Sequence, residues 1–421
     1  MNKINRVNFN DTRRISLHNK LIMLLFIFQF LGISLAIIHN IKIQISSIYL
    51  AYAFIVVTAI INYTIPKFIN GDSTYIYLVN LLYSISLINI IRLDYTLINK
   101  HIIWYFIGFF IFILVRYFIK FFNKFLQDKF ILFFAITFLT FILTLVFGFS
   151  KYGAKNWIDV GGLFTLQLSE FAKISYIFMI AAYYNNYEEY TSHKFGKYYL
   201  AGASYVFAGL FFLQGELGTA MVFFALMLAS MLIFEKRFIF IVLNIVLAFL
   251  GVYLASLVLS HIKVRIDIWL NPWEDFNGKG YQIIQSLYAI ANGGFFGTGI
   301  GLGSPGLVPV IQTDFIMAAI LEEMGLFMGF AIILIFILIF YKSMKVSLQF
   351  KSNYLSSLAL SIGLLFSIQT IIMLAGILKL MPLTGITTPF VSYGGSSTTS
   401  SFILLAVLHY LTSKTGEEYE G

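Results

Sequence analysis

The chain has 421 residues, of which 59% are hydrophobic and only 11% are charged. Soluble globular domains carry about 25% charged residues, so this composition excludes an ordinary soluble protein. The formal net charge is +9, and there is no cysteine, which excludes disulfides and thiolate metal sites. In a membrane protein, excess lysine and arginine are typical of cytoplasmic loops, so the charge does not indicate nucleic acid as a partner.

Twelve apolar stretches follow one another along the chain, and each is long enough to cross a bilayer as a helix. They predict an all-α polytopic membrane protein with about twelve transmembrane helices and one large extracytoplasmic loop. The polar start leads into the first stretch without a small-residue cleavage site, so we expect no cleaved signal peptide. The predicted spans are 21–39, 48–65, 75–92, 102–122, 130–150, 169–186, 197–213, 216–234, 237–260, 314–341, 354–380 and 390–412.

Lysine and arginine are distributed unevenly over the predicted loops. If the N-terminus is cytoplasmic, 18 of the 28 basic residues lie on the cytoplasmic side. Because basic loops are retained inside, this bias predicts that both termini are cytoplasmic and that the loop 261–313 faces outward. Most of the remaining basic residues fall in three outward-facing polar stretches, where they are candidates for binding an anion.

The first polar stretch, residues 151–175, leads into a predicted span. Ser169 is placed to cap the helix, and Glu170 suits the positive end of the helix dipole. Glu170 and Lys173 are three residues apart on one helix face and can form an ion pair. Two interpretations stay open. The stretch is either a capped helix start with a surface ion pair, or a site at which Lys155 and Lys173 bind phosphate.

A second polar position lies where one predicted span turns into the next, at Gln214 and Glu216. An acidic residue at the centre of a span costs about 2.5–3.5 kcal/mol, so such residues usually face the protein interior or a wet cavity. The alternative is a polar turn at the water interface.

The long loop contains the densest group of polar residues. Its Pro272–Trp273 pair breaks a helix, and Glu274 and Asp275 follow. Asp275 is the candidate catalytic base, and the alternative is a capping or surface carboxylate. Gln282 opens an amphipathic segment, and a glycine-rich run follows it, without the spacing of a nucleotide-binding P-loop.

Acidic residues continue into the next predicted span. We expect Asp314 to cap that helix. Glu322 and Glu323 lie two turns inside it, and two adjacent acids within a membrane are expected to face protein rather than lipid.

The fourth polar stretch, residues 378–400, interrupts an apolar region. Its prolines and glycines predict a re-entrant turn that forms the wall of a cavity. Ser392, Tyr393, Ser396 and Ser397 supply hydroxyl groups there. The six histidines of the chain lack the spacing of a zinc site.

Together these four stretches resemble the SEDS family (shape, elongation, division and sporulation), whose members include RodA, FtsW and SpoVE. The similarity covers about two thirds of the chain. It departs from the family pattern in Leu168 and Gly215, where the family has proline, in Glu216 for aspartate, in Lys155 for arginine, and in Val310 for glutamate. The stretches that carry the resemblance are Gly153–Trp157, Gln167–Lys173, Gln214–Ala220, Asn271–Ser286, Thr313–Gly325 and Pro382–Ser397.

The family usually has three spans before the first motif, whereas five are predicted here. We therefore divide the chain into residues 1–125, with N-terminal spans that include two extra helices, and a SEDS core at 126–421 with a catalytic loop.

The resemblance implies a glycosyltransferase that polymerises lipid II into peptidoglycan strands at the outer face of the cytoplasmic membrane, for elongation, division or sporulation. It implies Asp275 as the essential residue, a class B penicillin-binding protein as partner, and a possible Mg or Mn ion on the substrate diphosphate. A lipid II flippase and a non-catalytic recruiter of a transpeptidase are the alternatives. The residues expected to contact substrate are Lys155, Lys173, Arg265, Glu216, Glu170, Gln282, Ser392, Tyr393 and Ser396.

Overall fold

The structure, a computed structural model, describes residues 4–40, 42–151, 154–162, 164–235, 237–258 and 260–419. Within these ranges the chain forms fifteen α-helices and three short β-strands. Four short 3-10 turns lie at 95–97, 196–198, 272–275 and 305–307. The helices are α1 (Ile4–Ile38), α2 (Ile45–Phe68), α3 (Thr74–Leu93), α4 (Ile98–Leu126), α5 (Phe130–Phe147), α6 (Leu168–Asn185), α7 (Tyr187–Ser192), α8 (Tyr199–Gln214), α9 (Leu217–Phe234), α10 (Phe238–Val258), α11 (Ser260–Leu270), α12 (Tyr281–Gly293), α13 (Ile316–Ser347), α14 (Asn353–Ile377) and α15 (Gly395–Tyr419).

Each of the twelve predicted spans overlaps one of these helices, although α1 begins at Ile4, well before the predicted start at residue 21, and α15 extends to Tyr419, beyond the predicted end at residue 412. In the described part of the chain, nine helices are long and apolar enough to cross a membrane, namely α1–α5, α9, α10, α13 and α14. The other three predicted spans are α6, α8 and α15. Helix α8 has only 16 residues, and α6 and α15 begin with charged or hydroxyl side chains. The prediction of a polytopic helical membrane protein is confirmed.

The stretch before α6 is more ordered than the loop we expected. It folds into an antiparallel sheet in the order β1 (Phe149–Lys151), β2 (Ala154–Val160) and β3 (Phe164–Gln167). Gly161 and Gly162 have φ angles of +62° and +73°, the left-handed region that a tight hairpin between two strands needs. Gly153 of the first motif lies outside the described residues. Strand β3 runs directly into α6.

Burial differs widely among the helices. In the most apolar part of α3, 72% of the residues are buried, compared with 11% in α10. Helix α3 packs against α1, α2, α4 and α13. Helix α10 therefore presents most of its surface to lipid, whereas α3 lies inside the bundle.

The long loop between α10 and α13 also contains regular structure, in α11, α12 and two 3-10 turns. Helix α13 begins at Ile316, with Phe315 rather than Asp314 at the N-cap position, so the predicted capping role of Asp314 is wrong. Further along, α13 is broken at Gly325 (φ 75°, ψ 175°). The N–H groups of Leu326 and Phe327 donate to Gly294 O and Phe295 O, both at 3.0 Å, so the broken turn has its backbone partners within protein.

Candidate active site

Glu170 and Lys173 lie at the centre of a buried polar cluster formed by three helices. Lys173 Nζ is 2.7 Å from Glu170 Oε2 and donates to Gln369 Oε1 of α14 at 3.2 Å. Ser400 Oγ of α15 donates to the same glutamate oxygen at 2.9 Å. The ion pair predicted from the sequence spacing is confirmed, but it is buried rather than on the surface. A buried pair is stable only where further hydrogen bonds satisfy it, and here an amide and a hydroxyl do so.

Glu216, in the turn between α8 and α9, joins this cluster to the sheet. Its Oε1 accepts hydrogen bonds from Gln167 Nε2 at 3.0 Å, Ser169 Oγ at 2.8 Å and Thr219 Oγ1 at 2.5 Å. Burial raises the pKa of Glu216, and the hydrogen bonds from Thr219 and Ser169 oppose that shift. Ser169 therefore does not cap α6, and this prediction is wrong. The helix begins one residue earlier, at Leu168, and the Ser169 hydroxyl is used by Glu216.

The segment between α14 and α15, residues 378–394, is non-helical as predicted. Ser392 is buried in this segment and forms two hydrogen bonds. Its Oγ donates to Thr313 O at 2.7 Å and accepts from Thr388 N at 2.9 Å. Ser392 thus ties this segment to the residues that precede α13.

Tyr393 and Ser396 extend the same connection. The Tyr393 N–H donates to Gln312 O at 2.9 Å, and its ring centroid is 5.8 Å from that of His101. Ser396 Oγ accepts from Gln167 N at 3.0 Å. The start of α15 is therefore joined to the end of β3, directly beside Glu216.

Arg265 of α11 lies against the same segment from the outside. Its Nη1 donates to Leu383 O at 3.0 Å and to Thr384 O at 3.2 Å. Asp314 is close to Arg265 in space. Burial raises the pKa of Asp314 to about 6, although a hydrogen bond from Thr313 and the positive charge of Arg265 oppose the shift. The carboxylate that we expected to cap α13 is instead influenced by the positive charge of Arg265.

Lys155 and Gln282 bind backbone carbonyl groups. Lys155 Nζ donates to Leu145 O at 2.6 Å, and Gln282 Nε2 donates to Pro309 O at 2.7 Å. Both interactions tie one loop to another element. The lysine is half-buried and lies near the start of β2, the central strand of the sheet.

Asp275 occupies a different environment, at the exposed end of the 3-10 turn Pro272–Asp275. Its Oδ2 accepts from Lys279 N at 2.9 Å, and its carbonyl oxygen accepts from Gly278 N at 3.2 Å and Gly280 N at 3.1 Å. A Cβ atom on Gly278 would lie 2.2 Å from Asp275 Oδ1, so a side chain at this position would displace the carboxylate. One backbone N–H, that of Lys279, binds the carboxylate, which remains open to solvent, as a base for an external substrate requires.

The structure thus brings Glu170, Lys173, Glu216 and Ser396 together, and places Arg265, Ser392 and Tyr393 around the 378–394 segment. It leaves Asp275 on the exposed turn. Residues that complete the buried cluster were missed from the sequence, above all Gln369. A single amide in an otherwise apolar span is a usable signal, because such a side chain is expected to face the protein interior.

Comparison with known proteins identifies the family of this chain. The family model for FtsW, RodA and SpoVE, described as cell cycle protein, matches residues 68–417. The chain belongs to the FtsW/RodA/SpoVE family. The resemblance to SEDS proteins is confirmed, and the match takes in helices α3–α15, while α1 and nearly all of α2 precede it.

Several relatives in the FtsW/RodA/SpoVE family are similar over long stretches. The chain is 35% identical over 268 residues to "Peptidoglycan glycosyltransferase RodA" of Mycobacterium tuberculosis, which covers 61% of this chain and 57% of that protein. It thus spans a little over half the length of its mycobacterial relatives. It is also 35% identical over 286 residues to "Stage V sporulation protein E" of Bacillus subtilis, covering 66% of this chain and 77% of that protein.

Solved structures share the fold of this FtsW/RodA/SpoVE protein. One belongs to a structure titled "Structural coordination of polymerization and crosslinking by a peptidoglycan synthase complex". It has a TM-score of 0.69 and 21% identity, and covers 84% of this chain and 100% of that one. Thermus thermophilus RodA has a TM-score of 0.59 and 19% identity, and covers 82% of this chain and 98% of that one. At these identities the likeness shows the fold.

Proposed function

We propose that this protein is a peptidoglycan glycosyltransferase that polymerises lipid II into glycan strands at the outer face of the cytoplasmic membrane, in cell-wall synthesis. The observation that carries the proposal is the exposed carboxylate of Asp275, which accepts the backbone N–H of Lys279 in the long polar loop of a chain that belongs to this family. Relatives of 32–35% identity named as peptidoglycan glycosyltransferases support the same activity.

The chemistry asked of Asp275 is general-base catalysis. A sugar hydroxyl is a weak nucleophile, and a positioned carboxylate takes its proton as the oxygen attacks the anomeric carbon of the donor sugar. A new glycosidic C–O bond forms, and the bond from the anomeric carbon to undecaprenyl diphosphate breaks. The diphosphate leaves with the electron pair. An exposed carboxylate is suited to this task because the substrate must reach it from solvent.

The leaving diphosphate needs a positive partner, and Arg265 is the best placed of the predicted cations. Among the described residues its hydrogen bonds to protein use Nη1 alone, and a guanidinium carries five N–H donors. Lys173 is already paired with Glu170, and Lys155 with Leu145 O. We therefore assign the direct phosphate contact to Arg265 and a supporting electrostatic role to the two lysines.

A divalent cation, Mg or Mn, would accompany the diphosphate rather than occupy a protein site. Within the described ranges, no group of three or more His, Asp or Glu side chains is arranged to hold a metal ion. No step in the proposed reaction is assigned to such an ion.

The proposal also covers the orientation of the chain in the membrane and a partner protein. The distribution of basic residues supports cytoplasmic termini, which puts Asp275 outside the cell, where lipid II is polymerised. The likeness to a chain from a peptidoglycan synthase complex that coordinates polymerisation and crosslinking supports a class B penicillin-binding protein as partner.

The experiment is polymerisation of purified lipid II in liposomes, with and without a candidate class B partner. Wild type is compared with Asp275→Asn and with Glu274→Gln, which alters a neighbouring exposed carboxylate on the same turn. We expect long strands from wild type and Glu274→Gln, and a loss of about 10²-fold or more for Asp275→Asn, the scale of a missing general base.

Other outcomes would redirect the assignment. Polymerisation by Asp275→Asn at the wild-type rate would reject Asp275 as the base and make Glu216 the next carboxylate to replace. If wild type forms no strands even with the partner, the glycosyltransferase proposal fails. Movement of labelled lipid II across the liposome bilayer is then measured to test the flippase alternative, and binding of the transpeptidase to test the recruiter.

A further inference from the structure

Helices α1 and α2, which precede the family match, form a hairpin that is attached to α3 at several depths of the bundle. His18 of α1 meets the Tyr77 hydroxyl near one end. In the middle, Gln29 Nε2 donates to Ser84 Oγ at 2.7 Å. Polar side chains inside apolar helices bind specific partners because hydrocarbon offers none, so these contacts fix the hairpin in one register on α3.

A glycine in α1 adds a close packing contact with α3. A Cβ atom on Gly32 of α1 would lie 2.4 Å from Ile88 Cδ1 of α3. A larger residue at position 32 would therefore displace the Ile88 side chain or move α1 away from α3. On α2, Asn62 Oδ1 accepts from Asn80 Nδ2 at 2.8 Å.

The outer end of the hairpin touches the loop that follows α12. Asn40 Nδ2 donates to Ile91 O, near the end of α3, at 2.8 Å. The ring of His39 lies against Gly301, since a Cβ atom on that glycine would be 2.4 Å from His39 Cγ. Gly301 has a φ of +89°, so this close contact and the backbone conformation both require glycine.

Arg92, the residue after Ile91, connects α3 to the same glycine-rich loop. Its Nε is 3.1 Å from Glu323 Oε1 of α13. Its Nη2 donates to Gly301 O at 3.2 Å and to Gly303 O at 3.3 Å. One guanidinium thus holds both the broken helix α13 and the loop that packs on it.

The two acids of α13 bind the rest of that loop. Thr298 N and Gly299 N donate to Glu322 O and Glu323 O, at 2.9 Å and 3.0 Å. Ser304 N donates to Glu322 Oε1 at 3.0 Å. The loop continues directly from α12. Where α12 lies therefore depends on how this loop is held.

Helix α12 in turn carries the turn that presents Asp275. The rings of Trp273 and Tyr288 have centroids 5.9 Å apart, which packs the 3-10 turn on the helix. Gly280 N, just before α12, donates to Asp275 O at 3.1 Å. A continuous series of contacts therefore leads from the hairpin, through Arg92 and the loop 294–304, to the carboxylate.

We propose that the α1–α2 hairpin acts as a brace, which means that it holds the end of α3 and the loop 294–304 in position. Arg92 is then a positioning residue for the catalytic turn. The hairpin fixes the end of α3, Arg92 transmits this position to the loop 294–304 and α13, and α12 passes it to Asp275. The catalytic part of this statement rests on the proposed function. The structural part, that the hairpin orders the loop, does not.

The test replaces Gly32 with leucine, whose larger side chain would displace α1 from Ile88. Gly32 is distant in the chain from the loop 294–304. The matched control is Gly209→Leu in α8, where a Cβ atom would meet nothing within 4 Å. Both full-length variants are reconstituted in nanodiscs. Hydrogen exchange is followed at the amides of 298–304, several of which donate to Glu322 and Glu323, and lipid II polymerisation is measured on the same samples.

For Gly32→Leu we expect faster exchange at 298–304 and a fall in kcat of about tenfold, because a misplaced catalytic group slows the chemical step. The KM for lipid II should change less than about twofold, since the substrate contacts are distant. Gly209→Leu should behave as wild type. Unchanged exchange at 298–304 in Gly32→Leu overturns the brace, whether or not the protein polymerises lipid II.

Milder variants keep the test valid if Gly32→Leu does not fold. Asn40→Ala removes only the contact to Ile91 O, and Arg92→Lys keeps the charge but loses the guanidinium contacts to the two carbonyl groups. Both should speed exchange at 298–304 and lower kcat with KM nearly unchanged. Wild-type exchange in both variants contradicts the proposal.

Discussion

The buried cluster around Glu216 and the exposed turn at Asp275 both hold carboxylates, but by opposite means. Glu216 and Glu170 are buried, and side chains from other helices and from the sheet surround them. Asp275 is exposed and is held by the N–H groups of residues three to five positions further along the chain. The first arrangement depends on the whole fold, and the second is mostly local.

The two arrangements suit different roles. The buried carboxylates contribute to the stability of the fold, and the exposed carboxylate is available for the reaction. A buried acid whose carboxylate accepts hydrogen bonds from several side chains has little freedom to bind a substrate, but its loss leaves those donors unsatisfied. An exposed acid contributes little to stability and is free to accept a proton from a bound sugar. We therefore expect changes in the buried cluster to alter the folded state, and changes at the exposed turn to alter the reaction.

The largest expected effect on stability is that of Lys173→Met. This change leaves Glu170 buried without its cation, and breaking a buried pair in this way destabilises a protein by about 3–5 kcal/mol. Thermal unfolding of the purified protein in detergent, with Asp275→Asn as the comparison, measures the effect. The double variant Lys173→Met with Glu170→Leu removes both charges and should recover most of the loss. A single variant as stable as Asp275→Asn would contradict the assigned burial.

A smaller effect is expected from Glu216→Ala, which leaves the donors of Gln167, Ser169 and Thr219 without their shared acceptor. An unsatisfied buried donor costs about 1–3 kcal/mol, and relaxation around the small side chain should keep the total near the middle of that range. Glu216→Gln is the control, because its amide oxygen still accepts at the Oε1 position. Equal melting temperatures for the alanine and glutamine variants would show that these hydrogen bonds do not stabilise the fold.

The sequence predicted the helical architecture well, because the length and polarity of a span are local properties. All twelve predicted spans are helices. The sheet at 149–167 was missed because its strands are short and its last strand is tied to Ser396, 229 residues away. Contacts between residues so distant in the chain leave no periodic pattern in a single sequence.

Only part of the site was predicted, because the rest of it depends on contacts between residues that are distant in the chain. The pair Glu170–Lys173 follows from a spacing of three residues on a helix, and it is present. Its burial and its partner Gln369, 196 residues away, depend on how α6 and α14 pack. Asp314 shows the reverse case, in which a local capping signal gives way to a distant charge, Arg265.

The smallest effect, and the one that most sharpens the comparison, is expected from Gly278→Ala. A Cβ atom there would lie 2.2 Å from Asp275 Oδ1, so the carboxylate must swing aside while the backbone keeps its conformation. We expect polymerisation to fall about tenfold, the scale of a displaced catalytic group, with an unfolding temperature close to wild type.

The control for this change is Gly306→Ala, on a turn of the same loop region, where an added Cβ atom would meet nothing within 4 Å. It should leave both activity and stability near those of wild type. A Gly278→Ala variant with full activity would mean that the geometry of Asp275 relative to its own turn is unimportant for the reaction. If Gly278→Ala instead lowered stability, the turn would resemble the buried cluster. The substitution would then act through the fold rather than through the position of the carboxylate.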